Sequence, residues 1–486
     1  MSSSRAAIWL ATLSVAFIAC APLASAERLG KDSFKLPDLE GGRWGISVKA
    51  LDGEEAVALS EDERFALAST LKLATTATAF DTLGSFEEGK WPSGTGYRLK
   101  PSPLSNYPVV ELIGSGDPTL SSASDCKTNC LQQIADAIVA TGIEHIASVD
   151  VNDSLFLPPH WPTGWSHEDF RFGYATAITA LSVDGGTARA ELTPGPRQGS
   201  APVVEWDWAP AFGISTTEAQ TVPSRSFDLD LIRRPGAREA YMVGDLPLAS
   251  PPVELKFGLD DPALYAGEVL KLMLEQRGVE VHGSVIRSDI RYSPKVDDAK
   301  SVNQTPDFTL PLPDRDEFLN SILHDSDNFY TEILLHHISL TQGDRSQMAG
   351  LKLVSDTLIK AGADRKDFNL ADGSGLSVYN RMTPEAMSSL LVWASKQDWY
   401  KRWESYLAVG GEDGTLKYRF KNIRKPNRIH AKTGSVRGVS ALAGYFESAS
   451  GKTYAFAIFA NDTPLNGYQT RKLIDDVLEN IIERVG

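Results

Sequence analysis

Apolar and polar residues alternate with a period of two near both ends of the chain. Arg43 to Leu51 and Glu55 to Leu59 read as strands joined at Asp52-Gly53, a pair that favours a tight hairpin. Ser440 to Phe446 and Thr453 to Ala460 form a second predicted hairpin around Ser450-Gly451. The period then lengthens: Leu473, Ile474, Val477, Leu478, Ile481, Ile482 and Val485 share one helical face. The opposite face mixes Arg471, Lys472 and Arg484 with Asp475, Asp476, Glu479 and Glu483, unlike the cationic face of an interfacial helix. This helix is therefore expected to pack on a sheet.

Between the two ends the pattern changes twice. Asp316 to Leu323, Ser326 to Leu340, Ser346 to Ala361 and Pro384 to Lys396 carry apolar residues three and four apart, which predicts four helices. Earlier, helical periodicity from Leu131 to Ala140 leads into a strand-like run from Gly142 to Val149, and Ala263 to Gln276 leads into a similar run from Gly278 to Val285. Helix-Gly-strand units are common, so this weak repeat alone does not establish one folding unit. The intervening stretch, roughly 170 to 257, is rich in Pro, Gly and short alternating runs such as Val203 to Trp208 and Ser226 to Ile232, and reads as a small β module. The pattern predicts a sheet drawn from the two chain ends, helices from the second half, and a long insertion between them.

Met1 to Ala26 has the three-part layout of a secretory signal peptide: Arg5, an apolar run from Ala6 to Ala19, and Ala24-Ser25-Ala26 as cleavage site. The apolar run is short for a bilayer span, so no transmembrane anchor is expected after cleavage. Phe17-Ile18-Ala19-Cys20 loosely resembles a lipoprotein processing site, but Phe17 fits it poorly, and lipidation at Cys20 is the lesser alternative. The chain has 486 residues and a net charge of −15, which argues against nucleic-acid binding. Its length suggests about three domains. In an exported protein Cys126 and Cys130 can form a local disulfide, although spacing equally admits free thiols.

Three short patterns carry chemistry. Ser69-Thr70-Leu71-Lys72 opens an apolar helical stretch, and this spacing brings a nucleophilic hydroxyl within reach of an amine that burial can make basic. The spacing is not specific, since Ser124 and Lys127 share it. Ser326-Asp327-Asn328 starts a predicted helix and offers a proton relay and an amide; Ser301-Val302-Asn303 matches too, but in a polar stretch before Pro306. Lys432-Thr433-Gly434, followed by Ser435, suits a substrate carboxylate on a strand edge, with Gly434 leaving room for a peptide. It also reads as an ordinary turn.

In this order the three patterns resemble those of the serine acyl-transferases that include penicillin-binding proteins and serine β-lactamases. Gly114-Ser115-Gly116-Asp117-Pro118-Thr119-Leu120, Asp372-Gly373-Ser374-Gly375-Leu376-Ser377 and Gly411-Glu412-Asp413-Gly414-Thr415-Leu416 are similar to segments of the low-molecular-mass class C penicillin-binding proteins, the D-alanyl-D-alanine carboxypeptidase/endopeptidase family. The resemblance implies an α+β fold: a transpeptidase-like domain (27–95 and 305–486) with an antiparallel sheet flanked by helices, an inserted domain II (96–170 and 258–304) and a nested β-rich domain III (171–257). It implies Ser69 as acylated nucleophile, Lys72 as base, Ser326 and Lys432 in proton transfer, with the two lysines depressing each other's pKa. Asn328 would hold the substrate amide, Thr433 and Ser435 beside Gly434 the terminal carboxylate, and the Ser69 and Ser435 amides the oxyanion.

Implied partners are peptidoglycan stem peptides, with β-lactams as covalent inhibitors, in the periplasm or outside the cell. The enzymatic alternative is a serine β-lactamase; the non-catalytic one is a penicillin-binding sensor or scaffold. Relatives that read a diaminopimelate side chain carry an Arg where Val378 stands and an Asp that falls on Asp153 or Asn152, so a charged clamp is in doubt unless Arg381 substitutes. No cofactor and no metal site are predicted. His336-His337 lie on a predicted helix without metal-binding spacing.

Overall fold

The computed structural model describes residues 36–84, 94–208, 210–224, 227–288, 305–311, 314–421, 423, 425 and 428–485. The expected leader with Cys20, its cleavage site and Ser301-Val302-Asn303 lie outside them.

Both predicted hairpins form, and they pair with each other. The sheet runs in the order Ala408–Val409, Ile429–Val436, Val439–Glu447, Thr453–Asn461, Arg43–Ala50, Glu55–Leu59, all antiparallel. Ile46 opposite Ile458 joins the two chain ends. Alternation sorts the side chains: Ile46, Val48, Leu442, Phe456 and Ile458 meet Ile474, Val477, Leu478 and Ile481 of the C-terminal helix Gly467–Val485. The other face carries Ala441, Ala443, Ala455 and Ala457, small residues that let the helical layer approach. That layer comprises Lys72–Leu83, Arg315–Leu323, Asn328–Leu340, Gln347–Lys360 and Pro384–Ala394. Phe329 to Ser339, bar Tyr330, are buried, so Asn328–Leu340 runs through the middle of the protein.

The helix expected from Ser326 starts later. Asp327 caps it by accepting from the Tyr330 amide at 2.9 Å, and Ser326, with φ 71°, lies outside it. A capping carboxylate needs non-helical backbone, so the chain turns sharply just before the cap.

The weak repeat is a spatial fact. His145–Ile146 pairs in parallel with Glu280–Val281, and Ser148–Asn152 with Val285–Arg287, while helices Leu131–Val139 and Pro262–Gln276 share one core with them. Each strand-like run is split in two, because the chain steps from a two-stranded ribbon into a five-stranded sheet. That sheet has the order Val285–Arg287, Ser148–Asn152, Val109–Ile113, Gly96–Lys100, Phe308–Thr309. Phe308 pairs with Tyr97, so this sheet also takes in a strand that follows residue 304. Two three-stranded sheets fill the β-rich stretch, Thr187–Thr193, Val203–Trp206 and Val253–Gly258 in one and Gly213–Val222, Asp228–Arg233 and Glu239–Pro247 in the other. Cys126 and Cys130 are joined by a disulfide. Among the described residues no helix is long and apolar enough to cross a membrane.

Candidate active site

Ser69 lies in a short 3-10 turn, Ala68–Leu71, that runs into the Lys72–Leu83 helix. Ala68 before it has φ 45°, a left-handed conformation that costs a residue with a Cβ about 1–2 kcal/mol. Two glycines hold it there. A Cβ on Gly434 would stand 2.6 Å from the Leu67 carbonyl oxygen, and one on Gly375 would stand 1.9 Å from that of Ala68; both would be 3.1 Å from the Ser69 amide nitrogen. The Lys-Thr-Gly strand and the Asp372–Ser377 loop therefore press on the backbone of the Ser69 turn.

The spacing read from sequence gives the expected contact. Lys72 Nζ lies 2.9 Å from Ser69 Oγ and also donates to Asn328 Oδ1 at 2.7 Å and to the Ser374 carbonyl at 2.8 Å. Asn328 Nδ2 donates to the Tyr174 carbonyl at 3.0 Å. Lys432 is fully buried, with Nζ 3.1 Å from the Thr433 carbonyl. Burial, then the charge of Lys72, push the Lys432 pKa well below its usual range, with Asp325 opposing. Burial lowers Lys72 to about 8, against the pull of Asp372, Asp327 and Glu332. The charge of Lys72 is thus a cause of the lowering at Lys432, whereas burial alone leads the lowering at Lys72.

Ser326 is half-buried directly before Asp327 and Asn328, and its φ of 71° makes it the second strained residue at this centre. Thr433, Gly434 and Ser435 line a cavity of about 640 Å³ that continues past Lys417, Arg419 and Arg471. A Cβ on Gly467 would meet both Arg471 Nη1, at 3.4 Å, and Ser435 Oγ, at 3.6 Å, which places a guanidinium near the Ser435 hydroxyl.

Several supporting groups escaped the sequence reading. Asp372 is buried and accepts from Trp165 Nε1 at 2.8 Å, the Gly375 amide at 2.8 Å, the Ser377 amide at 2.6 Å and Asn380 Nδ2 at 2.7 Å. Glu332 accepts from the Gly373 and Ser374 amides at 3.0 and 2.8 Å, and burial followed by Asp372 pushes its pKa up to about 7. Together they fix the loop whose Ser374 carbonyl meets Lys72. A sequence signal existed: Glu332 is the one acid in the Asn328–Leu340 helix, among residues that are mostly apolar or uncharged. Tyr174 and Arg471 had none.

The side-chain clamp is not assembled by its candidate residues. Asp153 is buried and paired with Arg287, Asn152 Oδ1 accepts from the Ser154 amide and hydroxyl, and Arg381 donates to the carbonyls of Val378 and Asn380 in its own loop. Val378 is exposed. His336 and His337 are buried and held neutral, with burial as the leading cause of pKa values of about 3 and about 4; His337 bonds the Gly116 carbonyl.

A family model described as the D-Ala-D-Ala carboxypeptidase 3 (S13) family matches residues 26–481. The chain belongs to this family. It is 30% identical to a D-alanyl-D-alanine carboxypeptidase of Actinomadura sp. (strain R39) over 87% of this chain and 79% of that one. It is 27% identical to D-alanyl-D-alanine carboxypeptidase DacB of Haemophilus influenzae, over 90% and 88% of the two chains. The fold is similar to the crystal structure of penicillin binding protein 4 (dacB) from Haemophilus influenzae, with a TM-score of 0.70, 23% identity and coverage of 89% and 92%. The chain is accordingly a serine-type D-Ala-D-Ala carboxypeptidase with the penicillin-binding fold.

Proposed function

We propose that this S13 enzyme cleaves the terminal D-alanine from peptidoglycan stem peptides through an acyl-enzyme on Ser69. The observation that carries the reading is Lys72: buried, lowered to about 8 and 2.9 Å from the Ser69 hydroxyl. In its neutral form Lys72 takes the hydroxyl proton while Ser69 Oγ attacks the carbonyl carbon between the two D-alanines. The oxyanion is held by the amides of Ser69 and Ser435. Collapse breaks the C–N bond, and the proton passes from Lys72 through Ser326 to the leaving amine, with Lys432, its pKa lowered by burial, assisting the transfer. Water then hydrolyses the ester and restores Ser69. Asn328 orients the substrate amide, and Thr433 and Ser435 bind the carboxylate, with the Arg471 charge beside them. β-Lactams would acylate Ser69 by the same attack, the opened ring retaining the leaving amine.

The open cavity beyond Ser435 leaves space on the leaving-group side for more than a single D-alanine, which supports DD-endopeptidase cleavage of cross-links as a companion activity. Export to the periplasm or exterior, and the division into a catalytic domain with two nested insertions, belong to the same proposal.

The test is to incubate the purified protein with a penicillin and with a D-Ala-D-Ala stem peptide, following adduct mass and released D-alanine, with Ser69→Ala as control. A lasting adduct with peptide turnover, both lost in the variant, is the expected result. Rapid penicillin turnover would make it a β-lactamase, and an adduct without peptide turnover a sensor. Neither adduct nor D-alanine from the wild type would sink the proposal.

A further inference from the structure

The repeated helix-Gly-strand units carry a histidine each, and the fold brings these histidines together. His145 and Glu280 are direct partners on neighbouring parallel strands, and His282 follows Glu280 by two residues. Side chains two apart on an extended chain point the same way, as do paired residues of adjacent strands, so all three converge on one face. His145 Nδ1 lies 3.3 Å from Glu280 Oε2 and 3.3 Å from His282 Nε2, and His282 Nδ1 lies 3.5 Å from Glu280 Oε1.

We propose that His145, Glu280 and His282 form a binding site for a divalent transition metal of the zinc type. Two imidazoles and a carboxylate are the donor set that zinc takes, at about 2.0–2.2 Å per bond. A tetrahedron with bonds of that length has edges of about 3.3–3.6 Å; the separations from His145 Nδ1 to Glu280 Oε2 and to His282 Nε2, 3.3 Å each, match two such edges, and one donor atom from each of the three residues lies within 4.8 Å of the others. Tyr107 stacks on both imidazoles, with ring centroids 5.0 Å from His145 and 4.6 Å from His282 and planes 26° and 6° apart, and so presets their orientation. The ligands are partly exposed, which leaves the fourth position to water or to an outside donor.

The site shares no residue with the reaction centre. Its ligands come from both sides of the β-rich module, so a bound ion ties together the two chain segments that enclose it. The metal acts as a strap that stabilises the inserted unit and takes no part in the acylation of Ser69.

Zinc ion alone, titrated calorimetrically into metal-free protein carrying no polyhistidine tag, should bind at one equivalent per chain and raise the thermal midpoint. His145→Ala and His282→Ala should each abolish this equivalent, Glu280→Gln should weaken it at least tenfold, and all three should retain the wild-type circular dichroism spectrum. His167→Ala, outside the cluster, should bind as wild type does. A wild type that takes up no zinc, or cluster variants that bind as tightly as wild type, would overturn the proposal. A cluster variant that loses its fold is replaced by His282→Gln, judged by the same equivalence point.

Discussion

Two regions of this protein draw cations out of water, partly in one and fully in the other, and they do so in opposite ways. In the inserted sheet, Arg98 and Lys100 both reach Glu111, Lys100 also meets Asp150 at 3.1 Å, and Arg287 pairs with Asp153 and Asp261. Each charge there has an opposite charge in contact, and the net effect lowers the pKa of Glu111. Beside Ser69, Lys72 donates only to neutral oxygens, and its pKa falls to about 8. The same residue type is structural when paired and basic when desolvated without a direct partner. The cleft keeps its acids one step back: Asp372 and Glu332 are spent on loop amides and act on Lys72 from a distance.

The comparison breaks most sharply at Lys72. Lys72→Met should lower the penicillin acylation rate by about 10²–10⁴ while leaving the thermal midpoint unchanged or raised, since it removes a desolvated cation that no carboxylate contacts directly. A fall in both would mean that Lys72 is structural. Glu111→Ala should do the reverse: it takes the carboxylate from Arg98, while Lys100 keeps Asp150, and should cost about 3 kcal/mol in denaturant unfolding, with little change in the acylation rate of the folded fraction.

A pH profile sharpens the contrast. Because the Lys72 pKa is lowered, its neutral fraction grows with pH; acylation should rise about tenfold per unit below about 8 and level off above it. The stability sign follows. Between about 8 and the ordinary 10.5 the unfolded chain holds a proton that the folded chain lacks, so this lysine makes stability rise with pH in that window. A flat acylation profile from pH 6 to 9 would remove Lys72 as the base. The smallest effect belongs to Ser435→Thr, which keeps the hydroxyl on the strand edge; KM for a stem peptide should change by less than about threefold, a shift of under ~1 kcal/mol.

The parts of the site legible in the sequence were those made by neighbours along the chain. Ser69 and Lys72 meet because three residues of turn and helix place them together, and the strand of Lys432 announces itself by alternation. Asn328 joined them only through its place in a familiar order of motifs. The Asp372 loop was marked by its likeness to a family segment, though not for its contact with Lys72; the carbonyl of Tyr174 and the charge of Arg471 come from elements with no local signature of their roles. Ser326 shows the limit from the other side, since periodicity carried the helix through it while the Asp327 cap put it outside.

The two hairpins, the C-terminal helix, the motif triad and the expectation of an insertion can all be read from residue order, because period, turn residues and short spacings are local physics. Packing was needed to show that both lysines are desolvated, which acids hold the loop, where the inserted sheet ends and that two distant histidines share a face with Glu280. Each of these depends on burial or on pairing between segments far apart in the chain, and neither quantity exists until the segments have packed.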